Sequence, residues 1–268
     1  MSGVPAFFRD AQQRIDRALD TATSARADGP PDVRGAMRYT LLASSKRVRG
    51  ILTLVSCDLC AGSAGARAGD ALPAAVAVEM VHASSLILDD LPSMDNAPLR
   101  RGRPSCHVRF GEAVAVLAAF GLLNDAYGLV ATAYEGSLAR ELTRLLSSAI
   151  GSDGLIAGQA EDLLATDSAI GFETLERIHR RKTGALFSAA AISGARVAGA
   201  REEHVRALEA YAKNVGLAFQ IVDDLLDVTG DPAETGKAAR ADARKTTFVS
   251  FSGVDGAREL AADLCRTA

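Results

Sequence analysis

Leu72-Pro-Ala-Ala-Val-Ala-Val-Glu-Met-Val-His-Ala-Ser-Ser-Leu-Ile-Leu-Asp-Asp90 is apolar almost throughout and then stops on two carboxylates. A helix on a protein surface shows one apolar stripe, whereas a helix that is apolar all round belongs in the middle of a fold. Pro92 disfavours helical backbone at Leu91, so the helix is predicted to end near Asp90. His82, Leu86 and Asp89 share a face by their spacing. Asp95 lies beyond the proline, on a loop that must fold back over the helix end. That loop is predicted to lack fixed structure without a ligand.

The helical period continues on both sides of this stretch. Phe7, Phe8, Ile15 and Leu19 mark an amphipathic first helix. Asp28-Gly-Pro-Pro is a break, and Val33–Leu42 and Val48–Leu59 predict two more helices. Ala61–Gly69 is a small-residue loop, and residues 91–110 form a polar loop rich in Pro and Arg. Helices follow over Glu112–Tyr134, Leu138–Ile150 and Leu155–Ala165, then one helix or two over Phe172–Ala191. Glu202–Thr229 is a long helix, Gly230–Thr246 a polar loop and Val254–Cys265 a short last helix. No stretch alternates with period two, and no repeat or linker interrupts the chain. Residues 1–268 are predicted to be a single all-α domain, a bundle of about ten or more helices.

Composition agrees with helices. Aromatic residues are 5% of the chain, Trp is absent and Ala and Leu dominate the apolar 48%. A net charge of −3 excludes the basic profile of a nucleic-acid binder. Cys57 and Cys60 have CxxC spacing, but no second pair completes a zinc set with them, so they are read as small residues on a buried helix. No basic-then-apolar leader opens the chain, and the longest apolar run, around Ala113–Leu123, is too short to cross a bilayer, so a reducing cytoplasm is expected and no membrane span.

A second carboxylate cluster, Asp223-Asp224-Leu-Leu-Asp227, ends another apolar run. Asp223 and Asp227 are one turn apart on one face, with Asp224 beside them. Two carboxylates ~4 Å apart repel by about 4 kcal/mol at an effective dielectric near 20. A proton or a cation must offset that, and hard carboxylate oxygens suit magnesium. Cationic residues alternate with the carboxylates: Lys46-Arg47-Val48-Arg49, Arg100-Arg101-Gly102-Arg103, Lys182-Thr183 and Lys237. Carboxylates and cations in one chain suit an anionic substrate bridged by metal.

Residues Val81 to Pro104, then Lys182-Thr-Gly-Ala-Leu-Phe187, then the second cluster, resemble the trans-type prenyl diphosphate synthases, above all the short-chain bacterial geranylgeranyl diphosphate synthases. The resemblance runs from about Ala36 to Val249. It implies the isoprenoid synthase fold with a central substrate cavity, a homodimer, and magnesium as cofactor, three ions with substrate bound. Asp89, Asp95 and Asp223 would ligate magnesium, with Asp90, Asp224 and Asp227 close by. Lys46, Arg49, His82 and Arg101 would hold isopentenyl diphosphate. Arg100, Lys182, Thr183, Gln220 and Lys237 would hold the allylic diphosphate. Ala83, Ser84 and Ser85 would face the growing chain, and their small size implies a C20 product over C15.

The chain departs from the family in places. Ser44-Ser45 stand where a Gly-Gly is usual, Gly50 where Pro is usual, and Ala241 before Asp242 where a Lys is common. It ends at Ala268, where many relatives have a further helix or two. Farnesyl diphosphate synthase, a terpene cyclase of the same fold and a non-catalytic product-tuning subunit are the alternatives; the retained aspartates argue against the last, the second cluster and the basic set against the cyclase.

Overall fold

The computed structural model describes residues 5–24, 31–64, 69–230 and 245–268. In chain order these form α1 (Ala6–Ser24), α2 (Pro31–Leu41), α3 (Val48–Ala64) and α4 (Leu72–Asp89). A two-strand hairpin follows, β1 (Leu99–Arg100) and β2 (Arg103–Pro104), then α5 (Cys106–Phe110), α6 (Glu112–Ala133) and α7 (Gly136–Ile150). Next come α8 (Leu155–Ala165), α9 (Phe172–His179), a π-helical turn (Arg180–Gly184), α10 (Ala185–Val197), α11 (Glu202–Thr229) and α12 (Phe248–Thr267). The architecture is all-α, as expected.

The central helix is where the sequence puts it. In α4, Val76, Val78, Met80, Val81 and Ile87 are buried all round its circumference. Each side chain of that size contributes roughly 1.5–3 kcal/mol on burial. Helices α3, α6 and α10 pack around α4, and α11 lies against α10 and α12. A second, smaller core joins Leu217, Ile221 and Leu225 of α11 to Phe248, Ala257 and Ala261 of α12.

Several local expectations change. The 91–110 loop contains the hairpin and α5. Two-residue strands are too short to show a period. They pair Leu99 with Pro104 and Arg100 with Arg103. Arg101 and Gly102 carry φ of 54° and 72° between them, as a two-residue turn matched to the strand twist requires. The last helix starts six residues earlier than predicted, because the Thr247 hydroxyl accepts from the Ser250 N–H and caps a first turn that precedes a break at Gly253. Phe7 is exposed, whereas Phe8, Ile15 and Leu19 pack on the core as expected, with Ala11 beside them. Among the described residues, α4 and α6 are long and apolar enough to cross a membrane by length and composition. The expectation of no such segment counted unbroken apolar runs, not helices. Helix α4 is a core helix here, largely enclosed by its neighbours.

Candidate active site

The first aspartate cluster meets α8 and the π-turn in one place. Gln159 Nε2 donates to Asp89 Oδ1 at 2.7 Å, and Lys182 Nζ lies 3.4 Å from the same oxygen. Lys182 also donates to Asp162 Oδ2 at 2.7 Å. Lys245, just before α12, donates to Asp162 Oδ2 at 3.0 Å and to Asp95 Oδ1 at 2.8 Å. Three carboxylates thus enclose two ammonium groups. Burial alone would raise the Asp162 carboxyl, but Lys182 and Lys245 carry it below its ordinary value. Burial likewise disfavours the charged Lys182, and Asp89 and Asp162 reverse that. The close packing depends on Gly158, since a Cβ there would overlap the backbone nitrogen of Lys182. The π-turn, one extra residue in the helical path, is a feature frequent at functional sites.

The loop beyond Pro92 is fixed, not unstructured. The Asp95 N–H donates to Asp89 O at 3.0 Å, and Asn96 and Ala97 donate to Leu91 and Asp90 carbonyls. Lys245 completes the restraint. The expected loss of order came from counting the proline as a break; the cations that tie the loop down lie far along the chain.

Asp90 and Arg100 stand apart from the rest. Asp90 is 2% exposed, and Arg100 grips it through Nε, at 3.0 and 3.1 Å, and through Nη2. Burial pushes the Asp90 carboxyl above its ordinary value even with this partner. Arg100 was expected beside the allylic diphosphate; here its fork is committed to Asp90, with Asp89 at 3.8 Å.

The other basic group gathers beneath α4. Arg49 Nη1 lies 3.3 Å from His82 Nε2, and its guanidinium stacks 4.5 Å over Phe187 and 5.8 Å from Phe219. Burial lowers Arg49 to about 10, a value at which it stays charged, while Glu79 and Asp223 pull the other way. Burial and the positive charges of Arg49, Arg101, Arg100 and Arg47 hold His82 well below the ordinary imidazole range, so it is neutral. Lys46 is exposed at the rim. Arg47, by contrast, is buried and structural: it pairs with Asp16 at 2.7 Å and Glu79 at 3.7 Å and donates to Leu41 O at 2.6 Å. Of the departures from the family, Gly50 in place of Pro follows from the hydrogen bonds here. Ser45 O accepts from Gln12 at 2.7 Å, and the Gly50 N–H donates to Glu79 at 2.9 Å, a bond no proline could make.

On α11, Asp223 and Asp227 are half-buried on one face and Asp224 is buried on another. Thr183 Oγ1 donates to Gln220 Oε1 at 2.9 Å. Ala83 and Ser84 are buried, and Ser84 donates to Ala119 O of α6 at 2.9 Å; Ser85 is half-buried and bonds its own helix. Lys237, Ala241 and Asp242 lie outside the described residues. Sequence reasoning missed Gln159, Asp162 and Lys245, which read as polar positions on amphipathic or loop segments. One signal could have found the last: Lys245-Thr246 repeats the dipeptide Lys182-Thr183.

Among the described residues no three side chains form a ready-made metal cage. The donor chemistry nevertheless fits magnesium. Asp89 and Asp95 are hard oxygen donors already gathered around positive charge, and magnesium is usually held by few carboxylates with substrate phosphate completing its shell.

His179 borders this cluster. It is buried against the Phe248 ring, centroids 5.4 Å apart, and burial together with Lys182 and Lys245 lowers it to about 4. The unfolded chain takes up that proton near pH 6.5, so stability falls as pH drops from 6.5 to about 4. His179→Phe should remove that slope: between pH 7 and 4.5 wild type should lose on the order of 2–3 kcal/mol more than the variant in urea unfolding. Equal losses would contradict this.

Comparison with known proteins identifies the family. Residues 30–259 match the polyprenyl synthetase family. The chain is 44% identical over 269 residues to a chloroplastic geranylgeranyl pyrophosphate synthase of Catharanthus roseus, covering 98% of this chain and 74% of that one. It is 42% identical over 271 residues to a chloroplastic geranylfarnesyl diphosphate synthase of Leucosceptrum canum, covering 98% and 73%. Among solved structures it superposes on a Helicobacter pylori geranyltransferase, crystallised with magnesium and isoprenyl diphosphate, with a TM-score of 0.84, 31% identity and coverage of 98% and 88%. With its fold, its paired aspartate clusters and these similarities in agreement, the chain belongs to the polyprenyl synthetase family.

Proposed function

We propose that the chain joins isopentenyl diphosphate to an allylic diphosphate and makes chiefly geranylgeranyl diphosphate. The observation that carries this is a pair of cationic groups about two turns apart along one face of α4: Lys182 and Lys245 at Asp89 and Asp95 by the helix end, Arg49 and Arg101 around neutral His82. One set suits each diphosphate. Lys182, Thr183 and Lys245 hold the allylic diphosphate and stabilise charge on it as the allylic carbon–oxygen bond breaks. Arg49, Arg101 and Lys46 hold isopentenyl diphosphate with its double bond toward the new cation. Leu86 and the apolar faces of α4, α6 and α10 keep out water that would capture that cation. Magnesium, three ions in the filled site, would be held by Asp89, Asp95 and Asp223 and would neutralise the departing diphosphate. The leaving diphosphate is the acceptor for the final proton. Incubation with isopentenyl diphosphate, farnesyl diphosphate and magnesium should give a C20 diphosphate. A C15 limit from shorter starters would favour the farnesyl reading, and no product at all would favour the non-catalytic subunit.

Small Ser84 sets the chain length in this account. Ser84→Phe should shift the products from C20 toward C15, read by chromatography of the dephosphorylated alcohols. A folded variant with an unchanged product spectrum would contradict it.

We propose further that the enzyme is a homodimer. Helix α6 leaves a stripe of Ala113, Leu117, Phe120 and Asn124 exposed at helical spacing, with Leu117 and Phe120 at 56% and 61%. A second copy of α6 would cover it. Light scattering should give twice 27.9 kDa for wild type and a single-chain mass for Phe120→Glu. A monomeric wild type would rule this out.

A further inference from the structure

We infer that Asp224 is a positioning residue and not a magnesium ligand: it sets Thr183 through Gln220 and Lys245 through the first residue of α12. The inference rests on the reading of Lys182, Thr183 and Lys245 as the groups that hold the allylic diphosphate.

The helix geometry already separates the adjacent aspartates. Neighbouring residues on an α-helix point about 100° apart, so Asp223 and Asp224 cannot present the same face. Asp223 aligns with Asp227 one turn on, whereas Asp224 aligns with Gln220 one turn back. Burial follows this division. Asp224 is 3% exposed, while Asp223 and Asp227 are half-buried.

Both Asp224 oxygens accept hydrogen bonds from within the fold. Oδ1 accepts from Gln220 Nε2 at 3.1 Å, and Gln220 Oε1 accepts from the Thr183 hydroxyl at 2.9 Å. Thr183 follows Lys182 in the π-turn, so this arm fixes the turn from behind. Oδ2 accepts from the backbone N–H of Phe248 at 2.9 Å. Phe248 opens α12, and its N–H is one of those that a helix start leaves without a partner in the helix. A carboxylate there also suits the positive end of the helix dipole.

The Phe248 arm reaches Lys245. The Phe248 ring is fully buried, with His179 at 5.4 Å and Phe172 at 5.8 Å. Lys245 is three residues before it, with its ammonium between Asp95 and Asp162. One carboxylate therefore secures both cationic segments that face the first aspartate cluster. A metal ligand placed at the centre of this relay would have to give up one arm to turn outward.

The test compares Asp224→Ala, Asp224→Asn and Asp223→Asn in steady-state prenyl transfer. Magnesium half-saturation is measured at saturating allylic diphosphate, and the KM of each diphosphate at saturating magnesium. Asp224→Ala should raise the allylic KM about tenfold or more, with magnesium half-saturation and the isopentenyl KM within about twofold of wild type. Asp224→Asn should recover most of the loss. Its carbonyl can still accept from Phe248, and its amide can donate to Gln220 once that amide turns over. Asp223→Asn should instead raise the magnesium requirement. If Asp224→Ala does not fold, Gln220→Leu cuts the Thr183 arm alone and should raise the allylic KM without changing magnesium half-saturation. The inference is overturned if either Asp224 variant raises the magnesium requirement as Asp223→Asn does, or if Asp224→Ala, or Gln220→Leu in its place, leaves the allylic KM unchanged. A folded wild type that transfers no prenyl group overturns the functional reading and this inference with it. An active wild type separates the two.

Discussion

Asp89→Asn should lower kcat by about 10³-fold while leaving the protein folded. The side chain keeps its shape, and its remaining carbonyl oxygen can still accept from Gln159, which now donates at 2.7 Å. What disappears is the negative charge that faces Lys182 and would hold magnesium. Preorganised charge at a site where charge develops is worth ~3–4 kcal/mol per group, which corresponds to 10²–10³ in rate. Magnesium held by Asp89, as proposed, would place it at the upper end of that range. Initial rates at saturating magnesium, with a thermal melt as a fold control, decide the matter. A loss below about tenfold would mean that Asp89 serves the helix end and not the chemistry.

Arg100→Ala should cost about 3–5 kcal/mol of stability, because it strands a buried carboxylate. Asp90 is 2% exposed, and Arg100 is the cation that grips it. The sign of the pH dependence follows from the burial. The Asp90 carboxyl already lies above its ordinary value, and without Arg100 it must rise further. The native state then binds a proton that the unfolded chain has released. Stability of the variant should therefore recover as pH falls from neutrality toward 4, the reverse of the His179 effect. Adding Asp90→Asn should restore most of the loss, since a neutral group needs no counter-charge. Urea unfolding of wild type, single and double variants at pH 7 and pH 5 tests all three points. A single-variant loss under about 1 kcal/mol would show that Asp90 finds its partner elsewhere.

The helices were legible because their limits are written in local chemistry. Pro92 ends α4, the first helix after Gly154 starts at Leu155, and Glu202–Thr229 is one periodic run; the observed spans agree. The aspartate clusters were legible for the same reason, as carboxylates terminating apolar runs. What escaped was set by packing between distant elements. Asp162 looks like a solvated position on α8 until Gly158 brings that helix against the π-turn. Lys245 sits in what reads as a polar loop; its bond to Asp95 goes with a chain held three residues on, where the Phe248 N–H donates to Asp224. Arg100 was read by its charge, and the hairpin turn at Arg101-Gly102 decides which carboxylate it meets.

As proposed, the two aspartate clusters act on one diphosphate. A crystal structure with magnesium and an allylic thiolodiphosphate, whose carbon–sulfur bond resists ionisation, addresses it most directly. The account predicts metal ions bound to Asp89 and Asp95 on one side and Asp223 on the other, both sides meeting the same diphosphate, with Lys182 and Lys245 turned from the carboxylates to its oxygens. Metal at one cluster alone, or a diphosphate bound without Lys182 and Lys245, would contradict it.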